Sequence, residues 1–71
     1  MEAKTIRQHR AIRGMSQIEL ARKSGVNHVS ISRYELGKIA PTVRNLARIA
    51  DALNVTLNDI SLSDGPDSVA V

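Results

Sequence analysis

The chain of 71 residues has no cysteine, no tryptophan and no phenylalanine. Without cysteine there is no disulfide framework and no thiolate metal site. Two histidines alone are too few for a structural zinc site. Tyr34 is the one aromatic residue, so any core must be aliphatic. Long apolar runs are also missing, and none approaches the roughly 20 residues of a membrane span. The N-terminal MEAKTIRQHR has charges with no apolar stretch behind them, unlike a secretory signal. The length suits one domain, and a domain this small buries only about 60% of its unfolded surface. A single soluble, cytoplasmic domain is the expectation, with no metal, no cofactor, no membrane contact and no small-molecule ligand.

What is present is lopsided. All ten Lys and Arg lie between Lys4 and Arg48, and three acids, Glu2, Glu19 and Glu35, share residues 1–48 with them, a net +7. Residues 49–71 hold four Asp and no base, a net −4. A basic segment joined to an acidic one points to a polyanionic partner, nucleic acid first. Solvated helix faces with chance clustering explain the charge equally simply.

Breakers divide the chain into short helices. Gly14, Gly25 and Gly37 each follow a breaker-free stretch, as glycine does just past a helix end. Ser16 to Glu19 reads S-x-x-E, a capping box. Asn27 and Thr42 can cap the next helices, and Thr56 to Asp59 reads T-x-x-D. The spacing predicts five helices, at 3–13, 17–24, 28–36, 42–53 and 57–62, and no strand. Leu46, Ile49, Ala50 and Leu53 form one helical face, which Val43 joins. Leu20, Ala21, Val26, Ile31 and Tyr34 extend the apolar set, and Ile6, Met15, Val55, Leu57 and Ile60 close the core. A helical domain over residues 1–61 is expected, with an acidic flexible tail over 62–71.

The short Ser24-Gly25-Val26-Asn27 turn between the second and third helices forces a steep crossing, the geometry of a helix-turn-helix. With Ser16-Gln17, Leu20-Ala21, Gly25-Val26, Ile31-Ser32, Tyr34-Glu35, Gly37-Lys38, Pro41 and the Leu46…Leu53 stripe, residues 4–60 resemble the lambda-repressor/Cro-like helix-turn-helix family. The resemblance implies an all-α, five-helix domain that binds operator DNA, usually as a dimer.

It also implies roles. The third helix would enter the major groove with Asn27, His28, Val29, Ser30 and Arg33 towards base edges. Arg33 can give two hydrogen bonds to a guanine edge, or bind phosphate alone. Val29 can pack on a thymine methyl or be a scattered surface aliphatic. His28 can serve a base edge, a phosphate or neither, and Asn27 can do no more than cap its helix. Ser16 and Gln17 match a backbone contact at the start of the second helix, and Lys38, Thr42 and Arg44 match a second clamp. Arg10 and Glu35 match an ion pair joining the first and third helices, which could also present Arg10 to a phosphate. His9 stands where the family is usually apolar. It reads as a half-buried core histidine, so acid would destabilise the fold if the ring is buried neutral. Ile12, Ile18, Leu36 and Ile39 stand where the family is often polar, and a contiguous patch of them would suggest a dimer or partner surface.

Catalysis has little support. No nucleophile elbow, Gly-rich phosphate loop, HExxH or paired-acid site is present. The expected function is a transcriptional regulator, of repressor type, reading an inverted repeat as a homodimer. Two alternatives stay open, a helical protein-interaction module of antitoxin or adaptor kind, and a non-specific nucleoid protein.

Overall fold

In a computed structural model of the chain, residues 3–62 are described. Four α-helices account for most of them: α1, Ile6–Ile12; α2, Gln17–Ser24; α3, His28–Glu35; and α4, Val43–Leu53. A 3-10 turn, Leu57–Asp59, follows α4. Two short strands, β1 at Lys4–Thr5 and β2 at Ile60–Ser61, pair in parallel, Lys4 with Ile60 and Thr5 with Ser61.

Polar side chains set where each helix begins. Thr5 Oγ1 accepts from the Gln8 N–H at 3.1 Å, and Gln8 Oε1 accepts from the Thr5 N–H at 2.8 Å. Ser16 and Glu19 form the same reciprocal box at the start of α2, both bonds at 3.0 Å. Asn27 Oδ1 caps α3 through the Val29 N–H at 2.8 Å, and Thr42 Oγ1 caps α4 through the Asn45 N–H at 3.0 Å. Each bond satisfies a donor that the helix itself leaves unpaired. α2 stops at Gly25, with φ 75°, and α4 stops at Asn54, with φ 62°. Both take the left-handed conformation that turns the chain away from the helix axis.

Three sequence expectations need correction. The first helix starts at Ile6, not residue 3, because Lys4 and Thr5 are extended and paired with β2. No strand was expected, but two residues per strand leave no alternation to read. The fifth helix is only a 3-10 turn. Thr56 and Asp59 do box its start, with the Thr56 N–H and hydroxyl both donating to Asp59 Oδ2 at 2.9 Å. The Asp59 carbonyl, which a continuing helix would need as an acceptor, is taken instead by His9 Nε2 at 2.8 Å. Ile60 then turns extended and buries itself, 8% exposed.

Ile6, Leu20, Val26, Ile31, Tyr34, Ile49, Ala50, Leu53 and Ile60 form the core, with Met15, Ala21, Leu46 and Val55 packed against it. Val43 does not join the α4 stripe. It opens the helix, beyond the reach of a packing neighbour, and is 75% exposed. Leu57 is exposed as well, since the 3-10 turn presents Ile60 to the core in its place. His9 is more deeply set than half-buried, at 6% exposed. Its Nδ1 lies 3.3 Å from Arg13 Nη1, while Nε2 meets the Asp59 carbonyl. A carbonyl only accepts and a guanidinium only donates, so this geometry puts the ring proton on Nε2. The expected tail lies outside the described residues, apart from Leu62.

Candidate nucleic-acid interface

α2 and α3 are joined by Gly25, Val26 and Asn27. The Gly25 N–H donates to the Ala21 carbonyl at 2.9 Å, ending α2. Ser24 is buried, and its hydroxyl accepts from the Val26 N–H at 3.2 Å. Val26 is 4% exposed and pins the turn to the core. With Ile31 and Tyr34 facing inward, the opposite side of α3 is left to solvent. Val29, Arg33 and Leu36 follow one another there at i, i+4 and i+7, all exposed. His28 is exposed at the first turn of α3, and Ser30 is half-buried.

The other expected residues gather at two helix starts. Ser16 and Gln17 begin α2, and Thr42 and Arg44 begin α4. Lys38 lies in the loop between α3 and α4 and is exposed. Ser16, Asn27 and Thr42 already use a side-chain oxygen as a cap. The side chains of Arg33, Lys38 and Arg44 make no hydrogen bond or ion pair among the described residues. Their charges are therefore uncommitted among the described residues. The Leu36 position on the α3 stripe was legible from its spacing to Val29 and Arg33. Arg48 lies one turn beyond Arg44, exposed on the same side of α4, and the same spacing finds it.

Arg10 differs from these bases. Its Nε donates to Glu35 Oε2 at 2.7 Å and its Nη2 to Glu35 Oε1 at 2.9 Å. Nη1 donates to the Met15 carbonyl at 2.8 Å. The two side chains are 15% and 4% exposed, so the pair is largely desolvated. The hydrogen bond to Glu35 holds the guanidinium more firmly charged than usual, against burial, and the attraction of the carboxylate adds to it. Two guanidinium N–H groups have no partner among the described residues. Gln17 reaches the same carboxylate, its Nε2 donating to Glu35 Oε1 at 3.1 Å. Glu35 thus ties α1, α2 and α3 together, a junction spread over residues too far apart in sequence for spacing to reveal.

A helix-turn-helix family model matches residues 6–60. The chain belongs to this helix-turn-helix family, of the lambda-repressor-like kind. Over 59 residues it is 41% identical to an uncharacterized HTH-type transcriptional regulator of Archaeoglobus fulgidus, covering 83% of this chain and 84% of that one. Over 45 residues it is 36% identical to the cryptic phage CTXphi transcriptional repressor RstR of Vibrio cholerae, covering 63% of this chain and 40% of the repressor. No solved structure matches. No helix among the described residues is long and apolar enough to cross a membrane. No cluster of acids and histidines among them could hold a metal ion.

Proposed function

We propose that the chain is a sequence-specific, DNA-binding transcriptional regulator of repressor type, acting in the cytoplasm. The observation that carries this reading is the outward stripe of α3, flanked by uncommitted bases at Lys38 and Arg44. Val29 and Arg33 would face base edges, with His28, Ser30 and Asn27 at the leading end of the helix. Ser16, Gln17, Lys38, Thr42, Arg44 and the free N–H groups of Arg10 would hold the phosphate backbone on either side. The matched relatives are transcriptional regulators by name, one of them a phage repressor, which favours the same role.

An inverted repeat bound by a homodimer completes the proposal. The fold measures 33 × 27 × 21 Å. One turn of B-DNA is about 34 Å, so two copies side by side would reach successive major grooves on one face. Ile39 and Leu62 are both exposed and border one cleft of about 180 Å³ with a mixed polar and apolar lining, where a second copy would make contact. Selection from random duplex DNA at about physiological salt tests this. Enrichment of an inverted repeat with half-sites one turn apart is the expected result. Retention without enrichment would mean a non-specific nucleoid protein. A protein-interaction module is the second reading, favoured by Ile12 and Ile18, 64% and 54% exposed. No retention of DNA would bring it forward.

A further inference from the structure

We propose that Glu35 is a positioning residue for DNA binding, which turns the Gln17 amide so that its nitrogen is the group offered to a backbone phosphate. The inference rests on the DNA-binding reading above and concerns how one contact is set.

A glutamine amide has two orientations of nearly equal shape, one presenting NH₂ and the other the carbonyl. Phosphate only accepts, so just one of them can bind it. Gln17 opens α2, and its Nε2 is 3.1 Å from Glu35 Oε1. An ionised carboxylate accepts and cannot donate. The reversed amide would set two acceptors against each other, next to a side chain that is 4% exposed and so has little access to water for relief. The carboxylate cannot swing aside either. Arg10 holds both of its oxygens, at 2.7 and 2.9 Å, and is itself fixed to the Met15 carbonyl at 2.8 Å.

The chain of constraint therefore runs from the α1–α2 turn, through Arg10 and Glu35, to Gln17. Both amide protons sit on one nitrogen, so directing the first at Glu35 leaves the second for an outside acceptor. At the start of α2 that acceptor would also meet unpaired backbone N–H groups. An acid thus prepares an anion contact without touching the anion, with its own charge balanced by Arg10.

Fluorescence anisotropy on the selected duplex, with wild type, Gln17→Ala, Glu35→Gln and the double variant, tests the inference. A hydrogen bond to a charged group corresponds to roughly a tenfold change in affinity or more. Gln17→Ala should weaken binding about tenfold in the wild-type background and less than about twofold beside Glu35→Gln. Arg33→Ala is the control, with the same factor in both backgrounds, since a general loosening of the fold would change that factor too. Equal Gln17→Ala factors in both backgrounds, in a protein whose wild type binds DNA, overturn this inference and leave the DNA-binding reading standing. A wild type that retains no duplex overturns both. Proton exchange of the Gln17 side chain in free wild-type protein gives a second arm, which decides alone if Glu35→Gln does not fold. One amide proton should be protected and the other fast, and two fast protons would overturn the assignment.

Discussion

Gly25→Ala perturbs the turn that sets α3 against α2. A Cβ built at Gly25 meets nothing within 4 Å, so no neighbour has to move. The cost is confined to the backbone, where φ is 75°. Holding a non-glycine residue in the left-handed region costs roughly 1–2 kcal/mol. Alanine also restricts the unfolded chain, which returns about 0.4–1 kcal/mol. The expected net loss is about 1 kcal/mol, or roughly 4–8 °C in Tm for a domain of this size. Thermal unfolding followed by circular dichroism at 222 nm reads it. Gly25→Asn should lose less, because asparagine enters this region more readily. An alanine variant as stable as wild type would refute the backbone argument. A loss beyond about 3 kcal/mol would show that a neighbour is displaced after all.

Leu53→Ala should cost about 2–5 kcal/mol in chemical denaturation, since Leu53 is fully buried, and a loss under about 1 kcal/mol would count against its place in the core. The Asp59 carboxyl is held below its usual range, first by the Thr56 N–H, then by the Thr56 hydroxyl, with burial opposing. A depressed carboxyl stabilises the fold above its unfolded value, and that contribution is lost as pH falls through the lower folded value. Asp59→Asn should therefore lower stability near neutrality and flatten the acid limb of a pH–Tm curve, and an unchanged limb would contradict the box. Arg33→Ala should relax the preferred base at one position of the selected site, whereas Lys38→Ala should weaken all sequences alike and reduce the salt slope by about one.

Much of the fold could be read directly. Ser16 with Glu19, Asn27 and Thr42 announce three helices because a cap bonds to a backbone N–H two or three residues away. The reading fails where the deciding partner is distant. Thr56 and Asp59 mark a start but say nothing of length, and the bond that stops the turn comes from His9, 50 residues away. Periodicity gave Val43 a direction but no neighbour. The candidate surface was legible residue by residue, since Val29 and Arg33 share a face opposite Ile31. The junction at Glu35 was half visible. Arg10 was suggested by family resemblance, while Gln17, 18 residues from Glu35, was assigned only to the DNA side.

The pairing of β1 with β2 bears on the order in which the molecule assembles. Lys4 and Ile60 are 56 positions apart, so this pairing closes nearly the whole described chain into a loop. Such a closure is entropically costly for a free chain and far cheaper once the intervening helices have drawn its ends together. The bridge should therefore form last in folding and be among the first parts to open. Amide hydrogens bonded across the β1–β2 pairing would then exchange through small local openings while those of Ile49 and Leu53 wait for global unfolding.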